Sequence, residues 1–214
     1  MENSDIEILR NLKIKTPRLE LRLPSDLEID ALAKVATTGI QEPSEPHFQD
    51  ENLYKSPEEI KTWLKNFIER HMKEWNKNNW QLPFAVFYEG HPIGLQTMYA
   101  RDFPITRGFG CGYWIGLAYQ GKGLGTETVQ AILTLGFDGL NAREAYLGAW
   151  SDNTASLRIM EKLGFIPNGE YWMARNGQAL KDKRMRLPRE NWAKPKEIDI
   201  EGLNNCLSIF GTNS

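Results

Sequence analysis

The chain has 214 residues, 41% apolar and 25% charged, a balance that supports a packed core in water and excludes an intrinsically disordered protein. The 26 Lys and Arg against 28 Asp and Glu leave a formal charge of −2, which disfavours a protein built to coat nucleic acid. Two cysteines (Cys111, Cys206) and three scattered histidines exclude a disulfide framework and a metal-ligand cluster, and no run approaches the roughly 18 apolar residues of a membrane span.

The first predicted strand is RLELRL (18–23), alternating with period two and stopped by Pro24. Ser25 and Asp26 then supply capping chemistry for a helix through LEIDALAKVA. From Thr37 to Tyr54 a segment with Gly39, Pro43 and Pro46 reads as an ordered loop. Ser56-Pro57-Glu58-Glu59 is a capping-box start with proline at the first helical position, and that helix runs to about Trp75. PFAVFYE (83–89) and IGLQTMYAR (93–101) form a hairpin, and FGCGYWIG (109–116) is a third strand after the loop DFPITRG. A helix over 123–140, a strand over 144–150 and a helix over 153–163, closed by Gly164, follow. Two strands, 165–176 and 180–187, complete an α+β order. The expected organisation is one domain, 1–192, with a tail, 193–214, packed against it. The N-terminal residues carry no signal or anchor pattern, so a cytoplasmic location and no membrane contact are expected.

The strongest local chemistry is Gln120-Gly121-Lys122-Gly123-Leu124-Gly125-Thr126, between a strand and a helix. Alternate glycines let a ligand approach the backbone, and the helix start adds unpaired N–H groups, a combination that holds phosphate or pyrophosphate. A mononucleotide P-loop is excluded, because Gly116 to Lys122 fits but Gly123 stands where a Ser or Thr must hold magnesium. A dinucleotide fingerprint fails at Thr126, where a third glycine is needed. The remaining alternative is a glycine turn that only links strand to helix. Asn153-Thr154-Ala155-Ser156 opens a helix about thirty residues further on, and Gly164-Phe165 follows it.

QGKGLG and NTAS…LGF together resemble the GNAT superfamily of acyl-CoA-dependent N-acyltransferases, over about residues 16–187. TPRLELRLP and the Asn-x-x-Ser…Leu-Gly-Phe ending are similar to the branch with ribosomal-protein N-terminal acetyltransferases. The resemblance implies a three-layer α/β arrangement: a mixed, mostly antiparallel central sheet flanked by helices. It implies acetyl-CoA as acyl-donor co-substrate, no metal, and a small-molecule or peptide amine as acceptor. Trp114, Ile115, Gly116 and Leu117 would offer backbone to the pantetheine arm, and Gln120 through Thr126 would hold the pyrophosphate, with Gln120 or Lys122 as side-chain donors. Asn153 would bond the pantetheine or act as a plain helix cap. Ser156, on the same helical face, would lie near the CoA sulfur and steady or protonate the leaving thiolate. The amide of residue 115 or 116 would face the developing oxyanion.

The sequence departs from that branch where a glutamate often precedes the Tyr-Trp pair, since the position is Gly110. Asp102 is the substitute candidate for the catalytic base, against a loop-closing role. Glu127 suits the dipole of the helix start as a structural group, and Tyr113 is a candidate acid or substrate contact, against an ordinary half-buried strand tyrosine. Cys111 reads as a small hydrophobe. Trp63, Trp75, Trp80 and Trp150 are candidate walls of an aromatic acceptor pocket, with core packing favoured for Trp63 and Trp75. The basic run Lys181, Lys183, Arg184, Arg186 keeps open an aminoacyl-tRNA donor. A non-catalytic acyl-CoA sensor and a homodimer also stay open.

Overall fold

The chain enters its fold through a helix, Asn3–Arg10 (α1), and a three-residue strand, Lys13–Lys15 (β1). These come from a computed structural model that describes residues 3–40, 56–175 and 177–212. The sequence reading has no element there, because segments this short show no period. β1 is held by Leu19–Arg22 (β2) on one side and by a strand from the far end of the chain on the other.

Helix α2 (Asp26–Thr37) starts as its capping residues require: the Glu28 carboxylate accepts from the Ser25 N–H (2.7 Å) and the Ser25 hydroxyl (2.9 Å). The loop read from Thr37 to Tyr54 lies, from residue 41 on, outside the described residues. Helix α3 (Pro57–Glu74) begins with a reciprocal capping box between Ser56 and Glu59. α2 and α3 bury Ile29, Leu32, Ile60 and Leu64 against Ala85, Phe87, Leu95 and Trp114 of the sheet. Arg22 clamps Glu28 through two hydrogen bonds and holds its carboxyl down at about 2.

The predicted hairpin is present and longer than read, as β3 (Trp80–Tyr88) and β4 (His91–Ala100). Pro83 hid the start of β3. It is tolerated inside the strand because the β2 ladder ends at Arg22–Ala85, leaving Pro83 beyond its partner. The predicted loop at DFPITRG contains one helical turn, Phe103–Thr106 (α4). Then come β5 (Gly108–Ile115), α5 (Leu124–Thr134) with a wider π turn through Gly139, β6 (Glu144–Trp150) and α6 (Thr154–Lys162). A long hairpin closes the sheet with β7 (Ile166–Arg175) and β8 (Gln178–Pro188).

The nine strands run β7-β8-β6-β5-β4-β3-β2-β1-β9, with β9 at Asp199–Glu201. Every neighbouring pair is antiparallel except β5 and β6. The architecture is α+β: a mixed, mostly antiparallel sheet with α2 and α3 on one face. On the other, α5 buries Leu124, Val129 and Ile132 in the main core with Phe84, Met98 and Phe109.

The tail pairs with β1 through β9, forms a short helix Leu203–Cys206 (α7), and drives Phe210 into an aromatic cluster. Phe210 lies 5.0 Å from the Trp80 ring and 5.3 Å from Trp75, Trp80 meets Phe103 at 5.3 Å, and Trp75 Nε1 donates to Ile209 O at 3.1 Å. Phe210 is fully buried, so Phe210→Ala should cost about 3–5 kcal/mol of unfolding free energy in urea titration. A second expectation concerns pH. Because folding depresses the Glu28 pKa, its contribution to stability is present above the ordinary 4.5 and is lost as pH falls toward about 2. The stability difference between the wild type and Glu28→Gln should therefore shrink across that window in acid titrations.

Candidate functional site

β5 and β6 share only three parallel rungs, Gly108–Glu144, Phe109–Ala145 and Gly110–Tyr146. Beyond them β5 continues beside β4 as far as Gly94–Ile115, and β6 continues beside β8 as far as Trp150–Asp182. Two strands inside one sheet thus diverge, and each keeps an unpaired edge facing the gap.

The hydrogen bonds show which groups line that edge. Gly112 O accepts from Gln96 Nε2 and Thr97 Oγ1, both at 3.1 Å, and the Gly116 N–H donates to Ile93 O at 2.8 Å. Residues 112 and 116 therefore face β4. Strand alternation turns Tyr113 and Ile115 to the open edge, consistent with Ile115 O accepting from Gln120 Nε2 at 2.7 Å. Leu117 N–H is also spent, on Gly39 O. Of the two amides considered for an oxyanion, that of Gly116 is occupied and that of Ile115 points to the gap.

At the mouth of the gap lies a cleft of about 320 Å³. Trp114, Ile115, Gln120, Gly121, Gly123, Gly125, Thr126, Asn153 and Ser156 line it, but Trp114, in step with residues 112 and 116, turns its backbone to β4 and not to the gap as expected. Ile40, Tyr113, Ala155 and Ile159 join them. Ile159 was legible as the residue one turn beyond Ser156 on the same face; nothing local marks Ile40. Gly116, Leu117, Lys122 and Leu124 do not line the cleft. Leu124 is a core residue, and the Lys122 ammonium lies 5.6 Å from the centroid of the Tyr119 ring.

Gly121 and Gly123 hold left-handed backbone, φ +74° and +79°, which turns the loop into α5. Among the described residues, none of the amides from Gly121 to Thr126 donates to a protein acceptor; the first bond of the helix is Glu127 N to Gly123 O at 3.2 Å. These free N–H groups, at the positive end of a core-anchored helix, form an anion cradle. Gln120 differs from the expectation of a side-chain donor: its side-chain amide N–H groups are committed to Ile40 O (2.6 Å) and Ile115 O (2.7 Å) and brace the loop. Glu127 is structural, as read. It accepts from Thr16 Oγ1 (2.5 Å), Arg18 N (3.0 Å) and Arg18 Nε (2.7 Å). Arg18, which also donates to Lys122 O at 2.9 Å, is thereby fixed beside the loop, a residue no local signal could find.

Asn153 caps α6 through Oδ1, which accepts from Ser156 N at 3.0 Å, while its Nδ2 is left for the cleft. The hydroxyls of Ser156 and Tyr113 are 3.4 Å apart across the cleft. Burial pushes the Tyr113 phenol up to about 12 against the relieving effect of Ser156, so both groups are protonated at neutral pH.

Asp102 is not brought to this site. It is exposed, in left-handed backbone before α4, at the end of β4 beyond the closed rungs, and its side chain makes no cap. Its N–H only touches Asn79 Oδ1 at 3.3 Å. The basic run is likewise no single surface. Alternation places Lys181 and Lys183 on one face and Arg184 and Arg186 on the other, with Lys181 on Glu170, Arg184 on Asp182 and Arg186 on Glu144. Trp75 and Trp80 are core residues, Trp63 packs 5.3 Å from Phe67, and Trp150 is buried under the Arg175 guanidinium. Among the described residues no group of His, Cys, Asp and Glu could hold a metal, and no helix is long and apolar enough to cross a membrane.

The divergent strand pair, the glycine loop and the start of α6 thus meet at one cleft. Residues 18–166 match the acetyltransferase (GNAT) domain, and the chain belongs to that family. It is 28% identical over 93 residues to the putative ribosomal N-acetyltransferase YdaF of Bacillus subtilis (strain 168), covering 44% of this chain and 49% of that one. To the spermidine N(1)-acetyltransferase of Escherichia coli (strain K12) it is 27% identical over 117 residues, 55% of this chain and 60% of that one. The chain thus spans about half to three-fifths of the length of the curated relatives it matches. Its fold resembles the ribosomal α-N-protein acetyltransferase RimL solved with coenzyme A, with TM-score 0.66 at 19% identity over 81% of this chain and 95% of that one. A probable acetyltransferase aligns with TM-score 0.68 at 20% identity, over 84% and 98%.

Cys111 and Cys206 are both buried, which raises their thiols to about 12 and about 11. Neither serves as a thiolate nucleophile at neutral pH. The native protein should show no thiol reactive toward a disulfide reagent at neutral pH, and two after unfolding, in a colorimetric assay.

Proposed function

We propose that the protein transfers an acetyl group from acetyl-CoA directly to an amine, of a small molecule or a peptide N-terminus. The observation that carries this reading is the set of unengaged amides from Gly121 to Thr126, four of whose residues, Gly121, Gly123, Gly125 and Thr126, line the same cleft as the free edge of β5. The cradle fits a diphosphate ester, because neither Gly121 nor Gly123 carries a side chain into it and the helix end favours negative charge. Tyr113, Ile115 and Asn153 Nδ2 would hold the pantetheine arm by backbone and amide hydrogen bonds. Acetyl-CoA supplies an activated thioester when bound.

The remaining chemistry belongs to the chain. The Ile115 N–H, aimed at the gap, stabilises negative charge on an acyl oxygen. Ser156 and Tyr113 keep a proton on paired hydroxyls, and Ser156 Oγ can pass it to a departing sulfur while Tyr113 restores it. Holding two reactants in one gap also removes much of the entropic barrier of a bimolecular step. The dispersal and pairing of the basic residues on β8 weigh against an aminoacyl-tRNA donor.

Calorimetry with acetyl-CoA tests the reading, and no binding at about 1 mM ligand, where affinity is only some 4 kcal/mol, removes it. Gly123→Ala forces a Cβ into left-handed backbone at a cost of about 1–2 kcal/mol. Relief of that strain moves the turn out of its pre-set conformation, so acetyl-CoA affinity should fall by about 5- to 30-fold, with the fold retained by circular dichroism.

A further inference from the structure

The face of the sheet opposite the cleft carries a feature that the donor site does not use. Sheet register places three rows of residues there. Tyr99, Gly110, Tyr146 and Arg186 lie level with the last shared rung; Thr97, Gly112, Gly148 and Arg184 lie one row further; Leu95, Trp114, Trp150 and Asp182 follow. The gap between β5 and β6 opens within the second row, where its two banks are Gly112 and Gly148. Neither bank projects a side chain into the gap.

Two side chains lean over glycines of this face, one on the last shared rung and one on a bank. A Cβ on Gly110 would fall 2.2 Å from the Tyr99 ring, and one on Gly148 would fall 3.1 Å from Arg184 Nη1. Under Arg184 lies Asp182, which is 0% exposed, whereas the Arg184 side chain is 42% exposed. Arg184 Nη2 touches Asp182 Oδ2, but neither carboxylate oxygen accepts a well-formed hydrogen bond from any described residue, and Arg184 Nε has no acceptor. A buried carboxylate left without hydrogen bonds is costly. Here the Arg184 guanidinium covers it, one row beyond the glycine banks of the gap.

We propose that Asp182 is the group that receives the acceptor's ammonium and takes its proton, and that the Arg184 guanidinium holds that place until the ammonium replaces it. This rests on the transferase reading above. The acceptor class is a primary amine that is protonated in solution. Asp182 takes one proton from the ammonium and becomes a neutral carboxylic acid. The freed nitrogen lone pair forms the bond to the acyl carbon of the thioester as the C–S bond breaks. The second nitrogen proton passes to Ser156 Oγ as the Ser156 hydroxyl proton goes to sulfur, leaving the amide, the thiol and a neutral Asp182 that then returns its proton to water. Burial raises the affinity of Asp182 for a proton and Arg184 opposes this, so loss of the Arg184 contact on substrate entry makes the carboxylate a stronger base.

The charged and titratable groups around it are Arg184 on its own strand, Tyr171 across on β7, Tyr99 and Arg101 from β4, Arg175 over Trp150, and the Glu144–Arg186 pair two rows away.

The test measures thiol release against pH with spermidine and with a short peptide bearing a free N-terminus. Asp182→Asn should lower kcat by about 10²- to 10⁴-fold, leave acetyl-CoA affinity by calorimetry unchanged, and recover toward wild type as pH nears the amine pKa. Arg184→Gln should shift the acid limb of kcat/KM to higher pH, and carbon NMR of labelled Asp182 should titrate with that limb. An Asp182→Asn enzyme with the wild-type acid limb, or an Arg184→Gln limb that stays in place, overturns the assignment while the transferase reading stands. A wild type that releases no thiol with either amine removes both.

Discussion

Everything in the candidate site depends on two adjacent strands being pulled apart by their outer neighbours. β5 is held to β4 as far as Ile115, and β6 to β8 as far as Trp150, yet the two share only three rungs. Neither ladder can relax to close the gap without giving up its own pairs. Unpaired strand edges inside a sheet are unfavourable unless something supplies partners. The cleft follows from that conflict, since Tyr113 and Ile115 face an opening where a bound chain can complete the sheet.

The glycine loop works only because it is braced from outside. Gln120 links the carbonyls of Ile40 and Ile115, and Glu127 ties the first turn of α5 to Thr16 and Arg18 at the start of β2. α5 itself is anchored by Leu124, Val129 and Ile132 in the main core. The free amides are therefore held in place before any ligand arrives, which lowers the ordering cost of binding. Side chains that resemble ligand contacts in sequence, Gln120 above all, act as scaffolding.

The two faces of the gap are chemically different. The cleft side carries neutral donors: Ser156, Tyr113, Asn153 and the loop amides. The opposite face carries paired charges, with Asp182 buried under Arg184 and Glu144 joined to Arg186 and Tyr146. Glycines at 110, 112 and 148 keep the floor between them thin. Residue 110, where the related branch often places a glutamate, lies beneath the Tyr99 ring, and any side chain there would displace it.

The order of the principal elements, the helix starts at Ser25 and Ser56, and the strand-loop-helix around Gly121 to Thr126 were legible in sequence, because capping, turn chemistry and period are local. Most of the cleft was legible for the same reason, since Ile115, Gly123, Asn153 and Ser156 sit in short motifs. The elements at 3–15 and 199–206 were not, as each is too short to show a period and is stabilised by pairing across the whole chain. Nor could sequence decide which residues share a space. Asp102 is near β5 in sequence but lies past the closed end of the rungs, while Asp182, hidden in a basic run, is carried by β8 to the open end. The residue types were written in the chain; the splay of two strands decided which of them face the gap, because only register and sheet order bring distant side chains to one row.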